Sequence, residues 1–287
     1  MRSWCFVAAV LAGWSVSATA PAQAPARVAC NTSATPGAAE QQLTSGGQPR
    51  TYRLFVPPGY DGRTPLPLVL DLHGSGGNSA GQASNSRFEE LAAREGFLVA
   101  TLQAVNSRWN VPPADGRPDD VQYTADVIDH VAARACLDTT RVYATGFSGG
   151  ARMSSQLGCK LSARIAAIAP MSGLRWPGEC DARPVPVLTV HGLADPQNTY
   201  DGHAEGRGAE WVESVPEALA GWAKHNGCTA DVVLEDPPGP LSTMRYAGCT
   251  AGAEVRLIRV DGLVHRWAHD EIDATAAAWD FFRRHTL

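Results

Sequence analysis

Past residue 50, short apolar runs alternate with segments in which apolar residues recur at helical spacing. "TYRLFVPPGY" alternates and then breaks at Pro57-Pro58, the behaviour of an edge strand. "LPLVLDLHG" is a continuous Leu/Val run ending in glycine, which suits a strand buried on both faces. "RFEELAAREG" sets Phe88, Leu91 and Ala92 on one side and ends in Gly96, a helix stop, after which "FLVATL" returns to strand. "DDVQYTADVIDHVAARAC" places Val121, Val127, Ile128 and Val131 on one helical face, with Asp119 or Asp120 as N-cap. The alternation goes on through "RVYATG" as strand, "GGARMSSQLGCKL" as helix, and "IAAIAP" and "VPVLTVHG" as strands. "VPEALAGWAKHNG" reads as helix, "AEVRLIRV" as strand and "IDATAAAWDFFRRH" as a final amphipathic helix. Such an order specifies an α/β domain with a mostly parallel central sheet flanked by helices.

The segment before this pattern has a different character. Arg2 precedes an apolar run from Trp4 to Val16 and then small residues, the tripartite form of a secretory signal peptide, expected over residues 1–22. The run is shorter than the roughly 20 residues that cross a bilayer. Cleavage after Ala18 or after Ala22 fits equally. Residues 23–49, rich in Ala, Pro, Ser, Thr, Gly and Gln, are expected to be a flexible segment, with one catalytic domain over 50–287. A length of 287 residues with 44% hydrophobic positions supplies one large core. A net charge of −5 gives no basic face for phosphate, which argues against nucleic acid as a partner, and no membrane anchor is expected.

Removing the leader takes Cys5 away and leaves Cys30, Cys136, Cys159, Cys180, Cys228 and Cys249. In an exported chain, extracellular or periplasmic, an even set of six reads as up to three disulfides, with 15 pairings possible and none fixed by spacing. The expected set is Cys228 with Cys249, Cys159 with Cys180 and Cys30 with Cys136. No C-x-x-C pair points to zinc or redox chemistry.

The chemistry centres on "VYATGFSGGARM". A G-x-S-x-G pattern is weak alone, but here a buried-type strand precedes Ser148 and a helix opens at Gly149, which aims the hydroxyl at solvent and the next backbone N–H at a developing oxyanion. A serine nucleophile needs a base and an orienting acid. Asp195, in the loop after "VPVLTVHG", is the expected acid, with Asp181 and Asp201 as competitors. His265, in the loop before the last helix, is the expected base, with His269 as rival. The glycine-rich loop "DLHGSGGN" is expected to supply the second oxyanion donor from Gly74 or Ser75, beside the Gly149 N–H, with His73 bracing it. The remaining histidines, His203 among them, read as structural or surface residues. The mechanism requires no metal or organic cofactor.

With these residues in hand, "YRLFVPPGYD", "LPLVLDLHGSGG", "CLDTTRVYATGFSGGARM", "RPVPVLTVHGLADP" and the "GLVH" loop resemble the secreted esterase family of polyhydroxybutyrate depolymerases and feruloyl or acetylxylan esterases. The resemblance implies an α/β-hydrolase fold with Ser148 as nucleophile, Asp195 as acid and His265 as base. It also supports the Cys30–Cys136 and Cys228–Cys249 pairs and puts Trp109 and Asn110 near the cleft. Leu263-Val264 before His265 and Arg266-Trp267 after it depart from the glycine run and Trp-Pro that such proteins often carry. The expected substrate is a small or oligomeric ester, since no linker or polymer-binding module follows the last helix. A catalytically inactive hydrolase fold that binds a ligand, and a serine peptidase, are the competing expectations.

Overall fold

A computed structural model describes residues 1, 30, 32, 34–202, 213–229, 231–235 and 239–287. The expected leader, apart from Met1, and His203 lie outside them. Ten strands among the described residues form one sheet in the order β1-β2-β4-β3-β5-β6-β7-β10-β9-β8. Its centre is parallel: β4 (Leu98–Leu102), β3 (Leu66–Leu72), β5 (Leu137–Phe147), β6 (Ala167–Met171), β7 (Val187–Gly192) and β10 (Val255–Val260). Antiparallel strands close both edges, β1 (Gly37–Ser45) and β2 (Gln48–Val56) on one side, β9 (Leu241–Tyr246) and β8 (Val233–Glu235) on the other.

Side-chain alternation along the central strands builds two cores, one on each face of the sheet. Leu68, Leu70 and Leu72 of β3 point into the larger core with Val127 and Val131 of α3 (Asp120–Ala132), Leu157 of α4 (Gly149–Lys160) and Trp222 of α5 (Val215–His225). Val69 points the other way, toward Phe88 of α2 (Phe88–Glu95) and Trp279 and Phe282 of α6 (Ala274–Phe282). There Phe97 stacks on Trp279 at 4.0 Å and Tyr143 on Phe282 at 4.8 Å between ring centroids. Each fully buried side chain of this size contributes about 1.5–3 kcal/mol.

Several regions depart from the sequence reading, the edge strands β8 and β9 among them, which lie between the expected helix "VPEALAGWAKHNG" and the expected strand "AEVRLIRV". The expected flexible segment ends earlier than residue 49, because β1 pairs with β2 from Gly37↔Val56 to Ser45↔Gln48. It escapes the sequence because β1 carries no apolar stripe: one face is exposed, and the other turns only Gln41, Leu43 and Ser45 inward. The overlooked signal was Gly46-Gly47, both at positive φ, in a two-residue hairpin turn. Helix α1 (Ser79–Ser86) was likewise unforeseen, because its sequence SAGQASNS is almost wholly polar; Asn78 caps it by accepting from the Gly81 N–H at 2.8 Å.

Cystines join Cys30 to Cys136, Cys159 to Cys180 and Cys228 to Cys249. They tether the amino-terminal segment to the start of β5, the end of α4 to the approach to β7, and the end of α5 to the end of β9. No described helix is long and apolar enough to cross a membrane. The registers Leu72↔Leu102, Leu72↔Gly146, Phe147↔Met171 and Gly192↔Val260 bring the carboxyl ends of the parallel strands nearly level. Loops leaving them therefore meet along one crevice, where the chemistry of parallel α/β sheets collects.

Candidate active site

Ser148 occupies the turn between β5 and α4 with φ 54° and ψ −111°, a conformation that costs a non-glycine residue about 1–3 kcal/mol. Its N–H donates to Met171 O of β6 at 3.0 Å, and its carbonyl accepts from the Arg152 N–H at 3.1 Å, so the turn is held from both sides. The strained φ lies on the serine itself, not on its glycine neighbours. Those glycines serve close approach: a Cβ on Gly150 would stand 2.0 Å from Leu72 O, and one on Gly146 would stand 2.6 Å from the same atom. Helix α4 can thus begin directly against the end of β3, with Ser148 at its partially positive amino terminus.

Asp195 follows β7. Its Oδ1 accepts from the N–H groups of Gln197 and Asn198, each at 2.8 Å, and its Oδ2 accepts from His265 Nδ1 at 2.7 Å. Burial works against ionising Asp195, but the hydrogen bond from His265 and those from the Asn198 and Gln197 N–H groups outweigh it and hold the carboxyl below the usual carboxylate range. An ionised carboxylate only accepts, so His265 carries its proton on Nδ1 and presents Nε2 as the basic nitrogen. The imidazole stands 4.7 Å, centroid to centroid, from the ring of Phe147, the residue before Ser148. Asp195 and His265 are thus joined directly, and Phe147 brings them alongside the serine turn.

The rivals go elsewhere. His269 Nε2 donates to Asn85 O at 2.7 Å, and the N–H of Asp181 bonds Cys159 O. Neighbouring loops fix the His265 loop. A Cβ on Gly192 would meet Leu263 O at 2.0 Å, Ala194 N–H donates to that oxygen at 3.2 Å, and Trp267 Nε1 donates to Thr275 Oγ1 at 3.0 Å. Leu263 and Trp267, the departures beside His265, are therefore buried supports of the loop. Asn198 Nδ2 donates to Ser172 O at 2.5 Å, tying the Asp195 loop to the end of β6.

The loop after β3 forms the facing wall. His73 is buried, donates from Nδ1 to Gly74 O at 2.8 Å and accepts from the Ala104 N–H at Nε2, 3.1 Å away. Burial pushes its pKa down, which favours this neutral bracing form. Gly76 N–H donates to Ser107 O at 2.8 Å and Gly77 N–H to Gly74 O at 2.9 Å. Ser75 N lies 3.0 Å from where a Gly149 Cβ would be, and both residues line the cavity beside Ser148. Gly74 packs under the turn against Phe147 and the Ser148 Cβ. Of the two expected donors from this loop, Ser75 therefore has the better position.

Trp109 lines the same cavity, but its indole N–H donates to His73 O at 2.7 Å and the ring is 4% exposed, so it braces the wall more than it offers a face. Asn110 does not line the cavity; its side chain accepts from the Ala114 N–H at 2.9 Å and donates to Ala114 O, closing its own loop. That loop is moored by a buried ion pair. Arg50 Nη2 meets Asp120 Oδ1 at 2.7 Å, the Asn110 N–H donates to Asp120 Oδ2 at 2.7 Å, and the guanidinium lies 3.7 Å over the Tyr123 ring. The cavity measures about 780 Å³. Gln197, Arg108, Arg117 and Arg152 also line it. None of these four stood out in the sequence, being scattered over three separate segments.

Residues 50–184 match the model of the family described as Esterase PHB depolymerase. Feruloyl esterase B of Piromyces equi is 32% identical over 248 residues, covering 80% of this chain and 44% of that protein, so the chain spans less than half of that relative's length. A probable feruloyl esterase C of Aspergillus niger is 28% identical, with 81% of this chain and 83% of that protein covered. Among solved structures, the acetyl xylan esterase from Aspergillus awamori superposes with a TM-score of 0.64 at 15% identity, covering 85% of this chain and 99% of that one. That likeness speaks for the α/β-hydrolase fold.

Proposed function

From a chain whose residues 50–184 match the Esterase PHB depolymerase family model, we propose a secreted serine hydrolase of carboxylic esters, working through Ser148, His265 and Asp195. The observation that carries the reading is the 2.7 Å bond from His265 Nδ1 to Asp195, at the crevice where Ser148 stands strained at a helix start. His265 Nε2 takes the Ser148 hydroxyl proton as Oγ attacks the ester carbonyl. The N–H groups of Gly149 and Ser75 receive the oxyanion, and Asp195 stabilises the imidazolium. The imidazolium then gives its proton to the departing alcohol, leaving an acyl-serine. Water attacks this acyl group with the same histidine as base, and the acid leaves with Ser148 restored. Side chains and backbone amides carry every step.

Feruloyl or acetyl sugar esters and hydroxyalkanoate esters are the substrates that the named relatives and the family description support. Three cystines and the leader-like amino terminus support export. The partner is an ester; the acidic net charge of −5 speaks against nucleic acid, and nothing in the sequence calls for a membrane. Replacing Ser148 by Ala is expected to lower kcat for a para-nitrophenyl ester by about 10³–10⁶-fold with unfolding unchanged. A fluorophosphonate probe should label wild type and not Ser148→Ala. Failure to label the wild type would turn the reading toward an inactive hydrolase fold that binds a ligand.

A further inference from the structure

Three arginines, Arg108, Arg117 and Arg152, line the cavity beside Ser148, and no aspartate or glutamate lines it among the described residues. The chain as a whole has the opposite balance, 29 acidic against 24 basic residues. Arg152 lies four positions after Ser148 at the start of α4, so its side chain shares the serine's side of the helix. Arg117 is fixed by donating from Nη2 to Trp109 O at 2.6 Å. Arg108 is exposed and directly follows Ser107, whose carbonyl holds Gly76 of the facing wall. Among the described residues, no acid pairs with Arg108 or Arg117. Asp115 is exposed and outside the lining, Asp119 caps α3 through the Val121 and Gln122 N–H groups, and Asp120 is engaged with Arg50.

A neutral acyl or sugar group offers guanidinium groups no charged acceptor, while its entry strips them of water. A carboxylate accepts from a guanidinium in a bidentate, charge-assisted manner. We propose that this cleft selects esters carrying a carboxylate away from the scissile carbonyl, the arginines binding that second, unreacting group. The inference rests on the esterase reading above and narrows it. A soluble hydroxyalkanoate oligomer with a free acid end belongs to this class, and an acetylated neutral sugar does not.

Two pairs of isosteres test it. The first sets para-nitrophenyl hydrogen adipate against its terminal carboxamide, with the charge in the acyl half. The second sets meta-acetoxybenzoate against meta-acetoxybenzamide, with the charge in the alcohol half. In at least one pair kcat/KM should favour the anion by about tenfold at low salt, the preference should shrink at high salt, and Arg108→Gln should reduce the ratio severalfold. Ratios of unity or below in both pairs, in a protein that turns over the neutral members, overturn the proposal and leave the esterase standing. Titration calorimetry of para-nitrophenyl hydrogen adipate onto Ser148→Ala reads the arginines without turnover. Salt-sensitive saturable binding supports the anion site even if the wild type hydrolyses nothing, which would sink the esterase reading instead. Absence of saturable binding, or binding indifferent to salt, counts against the arginines.

Discussion

Two carboxylates are buried near the carboxyl ends of the parallel strands, and their surroundings give them opposite characters. Asp71, next to last in β3, is fully enclosed and accepts from two neutral donors, Gln82 Nε2 at 2.7 Å and Ser86 Oγ at 2.6 Å. Asp195, just beyond β7, is 3% exposed and accepts from two backbone N–H groups and from His265. Burial pushes Asp71 up to about 7 against the pull of Ser86 and Gln82, with the charge of Glu89 adding to the rise. The same burial fails to raise Asp195, whose partner can itself become a cation. Enclosure alone therefore does not decide whether a carboxyl is an ion. The donors around it do, and only one of these two sites can answer a positive charge that appears during a reaction.

The sharpest way to break that contrast is Asp195→Asn. Asparagine keeps the shape, but its amide no longer forces the proton of His265 onto Nδ1, and kcat for an aryl ester should fall about 10⁴-fold, near 5 kcal/mol, while the denaturation midpoint hardly moves. A loss below about tenfold would mean that Asp195 is a structural acceptor like Asp71. Asp120 then sharpens the comparison from the side of stability. Its partner Arg50 is as buried as it is, with side-chain exposures of 3% and 2%. Asp120→Asn strands the guanidinium in the core, and urea unfolding should report a loss of about 3–5 kcal/mol. A change under about 1 kcal/mol would show that Gln103 O and the Tyr123 face suffice for Arg50.

The sequence discloses these sites unevenly, for physical reasons. Ser148, Asp195 and His265 each stand just after an apolar run, so strand ends and chain order point to them. The parallel centre is legible because its strands are buried on both faces. Strand β1 and helix α1 escape notice because neither carries an apolar stripe, β1 being edge-exposed and α1 turning Gln82 and Ser86 inward. The resemblance leads to Trp109 and Asn110, but hydrogen bonds to His73 O and to Ala114, invisible in one dimension, engage their side chains. The arginines of the cavity come from two loop positions and one helix, with no periodicity to unite them. Asp71 does carry a signal in the sequence: a charged residue within the continuous apolar run "LPLVLDL" must be partnered or neutral.

That neutrality sets the smallest of the effects. In the unfolded chain the Asp71 carboxyl titrates near 3.9, as aspartate ordinarily does; in the fold it titrates at about 7. Between these values the folded state holds a proton that the unfolded state has released. Stability tied to this group is thus fully present below about pH 4 and drains away as pH rises toward 7. The loss should be about 2 kcal/mol, less than the full shift implies, because an ionising carboxylate draws in water and relaxes its neighbours. Asp71→Asn removes the ionisation and keeps the contacts, since Gln82 can still donate to the amide oxygen and the Ser86 hydroxyl can accept from the amide nitrogen. Thermal melts should therefore place the variant close to wild type near pH 5 and above it near pH 8, with ester turnover the same in both. A variant less stable by the same margin at both pH values would mean that Asp71 is already ionised in the fold, and the contrast with Asp195 would rest on geometry alone.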